Sequence, residues 1–155
     1  EWEVSLDGAA RAGPVAVDES VFVADESGRV AAYDVAGERR WRRDVGGAVF
    51  GGPSVIDDRV FVGTEAGEVV ALRRSDGSMS WRKPTDSEVR GTPAIGGETV
   101  YVGDHGGTLW AFDAANGDVR WQLSIGRWVD SPSAVGHGAV FVADQTGNVY
   151  AVVGE

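Results

Sequence analysis

The sequence predicts an all-β fold, a β-propeller of four-stranded antiparallel blades, with four blades in the 155-residue chain. Three residue types repeat with one period. Tryptophans stand at positions 2, 41, 81 and 121, so their intervals are 39, 40 and 40 residues. Prolines at 14, 53, 93 and 132 are spaced by 39, 40 and 39 residues, and glycines at 28, 67, 107 and 147 by 39, 40 and 40. A repeat of about forty residues that holds four short strands is typical of a propeller blade.

Each repeat has the same order of strands. A short strand follows the proline, and a tight turn leads to a Val-Phe-Val or Val-Tyr-Val run that begins at Val21, Val60, Val100 and Val140. Such an uninterrupted apolar strand indicates a sheet that is covered on both faces. A turn ending in glycine then leads to a third apolar strand. A second turn follows it, and the repeat closes with a charged outer strand that carries the tryptophan.

The repeat divides the chain, as a single domain, into four predicted blades. They span residues 14–52, 53–92, 93–131 and 132–155, and the last has no outer strand of its own. Residues 1–13 are predicted to contain a spare outer strand, Glu1–Leu6, ahead of the first blade. Because an open strand edge invites aggregation, we expect the spare strand to complete the blade that lacks one.

Two closures satisfy this expectation. In the favoured one, two chains exchange outer strands and form an eight-bladed homodimer. In the alternative, one chain closes on itself as a four-bladed monomer, with Trp2 completing the blade that holds Phe141. A ring of four needs about 90° per blade, against about 45° in a ring of eight, and no part of the sequence is specially compressed for that. The chain also fits an engineered or excised half of a longer protein, because its ends are in phase with the repeat.

The segment from Ala111 to Trp121 carries the clearest motif, with Asp113 and Gly117 between its two ends. The same pattern recurs from Ala32 to Trp41 and, in weaker form, from Ala71 to Trp81. It resembles the tryptophan-docking motif of quinoprotein-type, or PQQ-like, β-propeller repeats, and the resemblance covers essentially the whole chain. It implies blades like those of seven- or eight-bladed rings, and it favours an extracytoplasmic or cell-surface location, although the chain contains no signal peptide. Four structural docking residues are expected to pack against neighbouring blades: Trp2, Trp41, Trp81 and Trp121.

Charge and composition exclude several classes of function. The net charge of −10, from 24 acidic and 14 basic residues, repels phosphate backbones and disfavours nucleic-acid binding. No apolar run approaches the roughly 20 residues of a membrane span, so no membrane insertion is predicted. The absence of cysteine excludes disulfides and thiol catalysis.

An enzyme function is disfavoured. The family that the repeats resemble includes quinone-dependent dehydrogenases. These enzymes use a Ca²⁺-binding set of carboxylates and amides, a catalytic Asp and, often, adjacent cysteines. This chain has no Cys and no long inserted loop, and its asparagines are Asn116 and Asn148, both at or next to turns. We therefore predict no catalytic residue, no cofactor and no metal ligand. His105 and His137 lie in different turns and are expected to be solvated.

The loops that enter the inner strands are the candidate binding site, because in propellers they gather around the axis on one face. Trp128 stands out, since the docking tryptophans are already accounted for. An exposed Trp beside Arg127 and Asp130 has the composition of a binding hot spot. The structural alternative is that Trp128 plugs the central channel and Arg90 pairs with Asp130 or Glu88. The candidate axial-face residues are Arg11, Phe50, Glu88, Arg90, Arg127, Trp128 and Asp130.

These observations predict a non-catalytic binding or scaffold module that holds a protein partner. The alternative is a small-ligand or quinone-binding propeller, with its site at the central axis and with Trp128, Arg90 and Asp130 as contacts. In a two-fold dimer every one of these groups would occur twice around the axis.

Overall fold

The computed structural model describes residues 1–129 and 134–153. No helix of the length and apolarity needed to cross a membrane occurs in these ranges. Blade 1 consists of β1 (Val15–Val17), β2 (Ser20–Ala24), β3 (Arg29–Asp34) and β4 (Arg39–Asp44), and blade 2 of β5 (Ser54–Ile56), β6 (Arg59–Thr64), β7 (Glu68–Arg73) and β8 (Met79–Pro84). Blade 3 consists of β9 (Ala94–Gly96), β10 (Thr99–Gly103), β11 (Thr108–Asp113) and β12 (Val119–Ser124), and blade 4 of β13 (Ala134–Gly136), β14 (Ala139–Ala143) and β15 (Val149–Val153).

The strands of each blade pair in chain order as an antiparallel meander. The innermost strands of successive blades contact each other, β1 with β5, β5 with β9 and β9 with β13. This arrangement confirms the predicted all-β fold of propeller blades. Blade 4 has three strands in the described part of the chain, and the other three blades have four.

Burial follows position within the blade. The third strands of blades 1 to 3 are buried on both faces over their four central residues, since each blade is covered by its neighbours. The outer strand β4 is charged and exposed at every position except Trp41. Charges on an outer strand keep its free edge from pairing with another sheet.

The turn before each outer strand explains the repeated glycine of the motif. In blade 3 the Asp113 carboxylate accepts hydrogen bonds from the backbone N–H groups of Ala115 and Asn116, and Gly117 donates to the Asp113 carbonyl oxygen. Gly117 has a φ of +74°, and a Cβ there would lie 2.7 Å from the Trp81 indole. Glycine is therefore required both by the backbone conformation and by the ring above it.

Trp41 and Trp81 each connect their own blade to the next one. The indole Nε1 of Trp81 donates to the carbonyl oxygen of Ala114 at 3.0 Å, and Trp41 donates in the same way to Arg74 at 2.9 Å. Both rings also contact the second strand of their own blade, with centroid distances of 5.7 Å from Trp81 to Phe61 and 6.0 Å from Trp41 to Phe22. These contacts are consistent with the docking role predicted for the two tryptophans, which stays a prediction.

The core lies between the blades. One cluster joins Phe22 and Val30 of blade 1 to Val60 and Leu72 of blade 2, and a second joins blade 2 to blade 3 around Trp81. The third cluster, between blades 3 and 4, is smaller, and its Trp121 is only half-buried.

The predicted outer strand Glu1–Leu6 is not a strand in the single chain, because it pairs with no neighbouring strand in the described residues. A strand requires a hydrogen-bonded partner, and blade 1 already has four strands. Trp2 nevertheless docks like the other tryptophans. Its Nε1 donates to the Val35 carbonyl oxygen at 3.0 Å, and its ring stacks on Tyr33 at 6.4 Å.

Candidate functional site

Four loops that lead into the inner strands form one face of the molecule, and we call them the axial loops: residues 9–13, 48–52, 88–92 and 127–129. Each of the last three loops is held between the hairpins of two successive blades, and the first is bonded to the hairpin of blade 1. In the second loop, Glu65 N–H donates to the Ala48 carbonyl oxygen at 2.9 Å, and Val49 N–H donates to that of Asp25 at 3.2 Å. The bonds from His105 to Glu88 and from Val89 to Thr64 repeat this pattern one blade later.

A valine anchors each of the last three axial loops. Val49, Val89 and Val129 are at most 1% exposed. Burial of these side chains fixes the loop backbones, and the residues next to them point to the outer surface. The frame of this face is therefore the same from blade to blade, while the residues displayed on it differ.

The hairpin between β14 and β15 rests on a buried carboxylate. Asp144 accepts hydrogen bonds from the backbone and side chain of Asn148, from Thr146 and from the Tyr150 hydroxyl at 2.9 Å. Burial opposes ionisation of this carboxyl, but the hydrogen bonds outweigh it and hold the pKa of Asp144 well below its ordinary value. The hydrogen bond that Tyr150 donates to Asp144 raises the pKa of Tyr150.

Arg90 stands at the centre of the axial face. Its Nε donates to Glu88 Oε2 at 3.0 Å and its Nη2 to Glu65 Oε1 at 2.9 Å. Its guanidinium lies 4.8 Å from the centre of the Phe50 ring, which is within the range of a cation–π contact. Arg90 thus joins blades 2 and 3, and the pairing with Glu88 considered from the sequence is present.

Trp128 lies beside this network. Its ring stacks on His105 with a centroid distance of 4.9 Å and an interplanar angle of 6°, and Trp128 is 53% exposed. His105 Nδ1 is 3.5 Å from Glu88 Oε2. Phe50, Arg90, Glu88, His105 and Trp128 therefore form one continuous surface.

The other candidates are distributed around this surface. Arg11 forms an ion pair with Glu26 at the blade 1 end of the face. Arg127 and Trp128 border a shallow cleft of about 280 Å³ whose remaining lining residues are Gly126, Gln145 and Thr146. Asp130 lies outside the described residues, and so do the contacts considered for it.

His105 is the residue that the sequence reasoning missed. It was expected to be a solvated turn histidine, but its side chain is 12% exposed and is covered by Trp128. The repeat register contained the signal, because Glu26, Glu65, His105 and Gln145 are spaced by one blade each. Glu26 and Glu65 both pair with arginines of the axial loops, so position 105 belongs to the same ring of side chains.

The described residues contain no group of three or more His, Cys, Asp or Glu side chains arranged to hold a metal ion. Instead, the axial surface offers an arginine, two carboxylates and exposed aromatic area. Partly exposed ion pairs contribute only about 0–1 kcal/mol to stability. Arg and Trp are enriched among the residues that carry binding energy in protein interfaces.

A protein-family model described as "Outer membrane protein assembly factor BamB" matches residues 1–155, the whole chain. Among curated proteins, none is significantly similar to it. BamB from Moraxella catarrhalis superposes with a TM-score of 0.84 at 22% identity, over 97% of this chain and 51% of that chain. The present chain therefore spans about half the length of that protein.

Two other solved structures extend this likeness. The computationally designed Ika4 protein superposes with a TM-score of 0.86 at 17% identity, over 97% of this chain and 94% of that chain. Quinohemoprotein alcohol dehydrogenase from Comamonas testosteroni superposes with a TM-score of 0.79 at 18% identity, over 88% of this chain and 29% of that chain. At these identities the likeness establishes the fold, a propeller of PQQ-like repeats.

Proposed function

Because the chain belongs to the family described as outer membrane protein assembly factor BamB, we propose that it is a non-catalytic scaffold module that binds a protein partner through its axial face. The observation that carries this proposal is the continuous surface from Phe50 to Trp128. It combines an exposed indole with a hydrogen-bonded arginine on loops that buried valines hold in place. Rigid presentation lowers the entropy lost on binding.

The partner chemistry that fits this surface is a peptide segment with an aromatic and an acidic side chain. An aromatic side chain can stack on the exposed Trp128 ring, and a carboxylate can pair with Arg127 at the rim of the adjacent cleft. By analogy with the family description, we also propose an extracytoplasmic location for the protein.

A random peptide display library tests the proposal. Peptides selected on the immobilised chain are expected to bind at least tenfold more weakly to Trp128→Ala and to Arg127→Ala. Val119→Ala removes an exposed side chain from the outer strand β12 and should leave binding unchanged. Peptides that bind all three variants equally well, or a library from which nothing is enriched, would contradict the axial face as the site.

A small planar ligand is the second candidate, and the cleft beside Trp128 is the observation that favours it. A quinone stacked on the indole would quench its fluorescence, with Arg90 and Arg127 as cationic contacts. Titration with a quinone to high micromolar concentration should quench the unsubstituted chain but not Trp128→Ala. Equal fluorescence quenching of both proteins, or no quenching of either, would contradict the hypothesis of a planar ligand at Trp128.

Self-association belongs to the same proposal. Two chains of four blades would make one ring of eight, and a two-fold axis would present the axial surface twice. A partner with two binding segments would then gain avidity.

A further inference from the structure

The outer edge of β15 is the one feature of blade 4 that the rest of the fold does not explain. In blades 1 to 3 the third strand is paired on both sides, whereas β15 pairs with β14 alone in the described residues. Val149 and Val153 are 72% and 73% exposed. Leu109 and Val69, which occupy the position of Val149 one and two blades earlier, are 0% exposed. The edge and the face of β15 are therefore both uncovered.

The first six residues, in turn, have no neighbouring strand to pair with in the described residues. Trp2 docks on blade 1 through Val35 and Tyr33, as Trp41 and Trp81 dock on blades 2 and 3. Those two tryptophans also contact an aromatic ring on the second strand of their own blade. Trp2 remains 42% exposed. By the repeat register, the aromatic ring that would cover it is of the type found at Phe141 in blade 4.

The outward-facing sides of blade 4 and blade 1 are also chemically similar. On blade 4 the uncovered face carries Val149 and Ala151. On blade 1 the opposite face carries Val21 and Val23, which are only half-buried, although the equivalent residues of blade 2 are fully buried. Both faces are apolar, as the interfaces between the blades are.

We propose that the free edge of β15 receives residues 1–6 of a second copy of this chain as a fourth strand, and that β15 of that copy receives the first six residues in return. The inference rests on the proposed self-association and identifies the surface that mediates it. Trp2 keeps its dock on its own blade 1 and gains Phe141 of the other copy. The exchange is reciprocal, so in a two-fold dimer each copy covers the β15 edge of the other.

The register follows from the complete blades. Ala32, Ala71 and Ala111 pair with Trp41, Trp81 and Trp121. Ala151 is their equivalent, so it is expected to face Trp2 of the second copy. Leu109 pairs with Leu123, and Val149 is therefore expected to face Val4.

This register allows a cross-linking test, because the chain has no cysteine. Facing residues on antiparallel strands have Cα atoms about 4.5–5.5 Å apart, which a disulfide can bridge. Val4→Cys combined with Val149→Cys should give a reducible covalent dimer under mild oxidation. The matched control, Val4→Cys with Val153→Cys, places the second thiol four residues away along β15, and it should cross-link at least tenfold more slowly.

Light scattering on the unoxidised chain separates the outcomes. A mass of two chains without a covalent dimer would overturn the strand-addition site and leave self-association standing. A mass of one chain without a cross-link would overturn both. A disulfide formed within one chain would overturn the second copy in favour of a closed four-bladed monomer.

A charge at the edge gives an independent test in case the cysteine variants fold poorly. Val149→Lys would place an ammonium group against the apolar face of the second copy, and it should raise the dimer dissociation constant at least tenfold. Val119→Lys places the same charge on the exposed outer strand β12 and should not change it. Equal behaviour of the two variants would overturn the proposed site.

Discussion

Trp81 is the side chain through which blade 2 is fastened to blade 3. It is 7% exposed, donates to the Ala114 carbonyl oxygen and lies 6.2 Å from Phe112. We expect Trp81→Ala to lower the free energy of unfolding by about 3–5 kcal/mol, because it removes both the apolar contacts and a hydrogen bond. Trp128→Ala, at an exposed position, should cost less than about 1 kcal/mol. Urea unfolding of both variants measures these free energies, and equal losses of stability would contradict the docking role of Trp81.

Gly117 carries two separate constraints, which a second substitution can resolve. Gly117 and Gly97 both have a positive φ, so alanine strains the backbone at either position. A Cβ at Gly117 would also clash with Trp81, whereas a Cβ at Gly97 would have nothing within 4 Å. Gly117→Ala should therefore be the more destabilising by about 1–3 kcal/mol in thermal or urea unfolding. If Gly117→Ala lowered the free energy of unfolding no more than Gly97→Ala does, the Trp81 indole would be shown to move aside at no cost.

Among the elements, the hairpin between β14 and β15 makes stability depend on pH. Because the folded chain holds the pKa of Asp144 below its ordinary value of 3.8, the ionised carboxylate stabilises the fold above that pH. The contribution is lost as the pH falls below 3.8 towards the lowered folded value. Asp144→Asn should therefore be less stable than the unsubstituted chain at pH 6, and the difference should shrink as the pH is lowered to 2.

Unfolding by urea across this pH range measures the difference. Asp86→Asn, which removes an exposed carboxylate, is the control and should follow the unsubstituted chain. If the Asp144→Asn difference stayed constant with pH, the carboxylate would not be the titrating group.

The elements that the sequence predicts best are those whose pattern is local. The Val-Phe-Val runs identify β2, β6 and β14, and the spacing of Trp and Gly identifies the outer strands and their turns. Glu1–Leu6 has the composition of an outer strand, but pairing is a property of two segments. In the single chain it has only the Trp2 dock and no strand beside it. Sequence alone describes what the segment is suited for and not what it pairs with.

The axial face is predicted only in part for a similar reason. Trp128 is visible in the sequence because it departs from the repeat, and Arg90 because it lies in a loop that enters an inner strand. The structure brings them to one surface through His105 and Glu88. His105 is hidden there, because a histidine beside glycine in a turn indicates solvent exposure. Its stacking on Trp128 depends on how the fourth axial loop crosses the hairpin of blade 3, which no local pattern specifies.

For the whole molecule, each interface between successive blades is formed by the apolar faces of two sheets, and a tryptophan packs against it. The described residues contain three such interfaces, and under the proposed strand exchange the outward faces of blades 1 and 4 form a fourth. Val149 and Val153 are exposed at the sheet edge, and an exposed apolar patch favours burial against another surface, which supports the proposed association. In the proposed dimer, a second copy would complete the fourth interface, and each blade would then have four strands.

The mass of the 155-residue chain in solution, measured by light scattering during size-exclusion chromatography, tests this account most directly. The account predicts a mass of about twice 16.3 kDa that decreases with Val149→Lys but not with Val119→Lys. A mass of 16.3 kDa at all concentrations up to about 100 μM would contradict it.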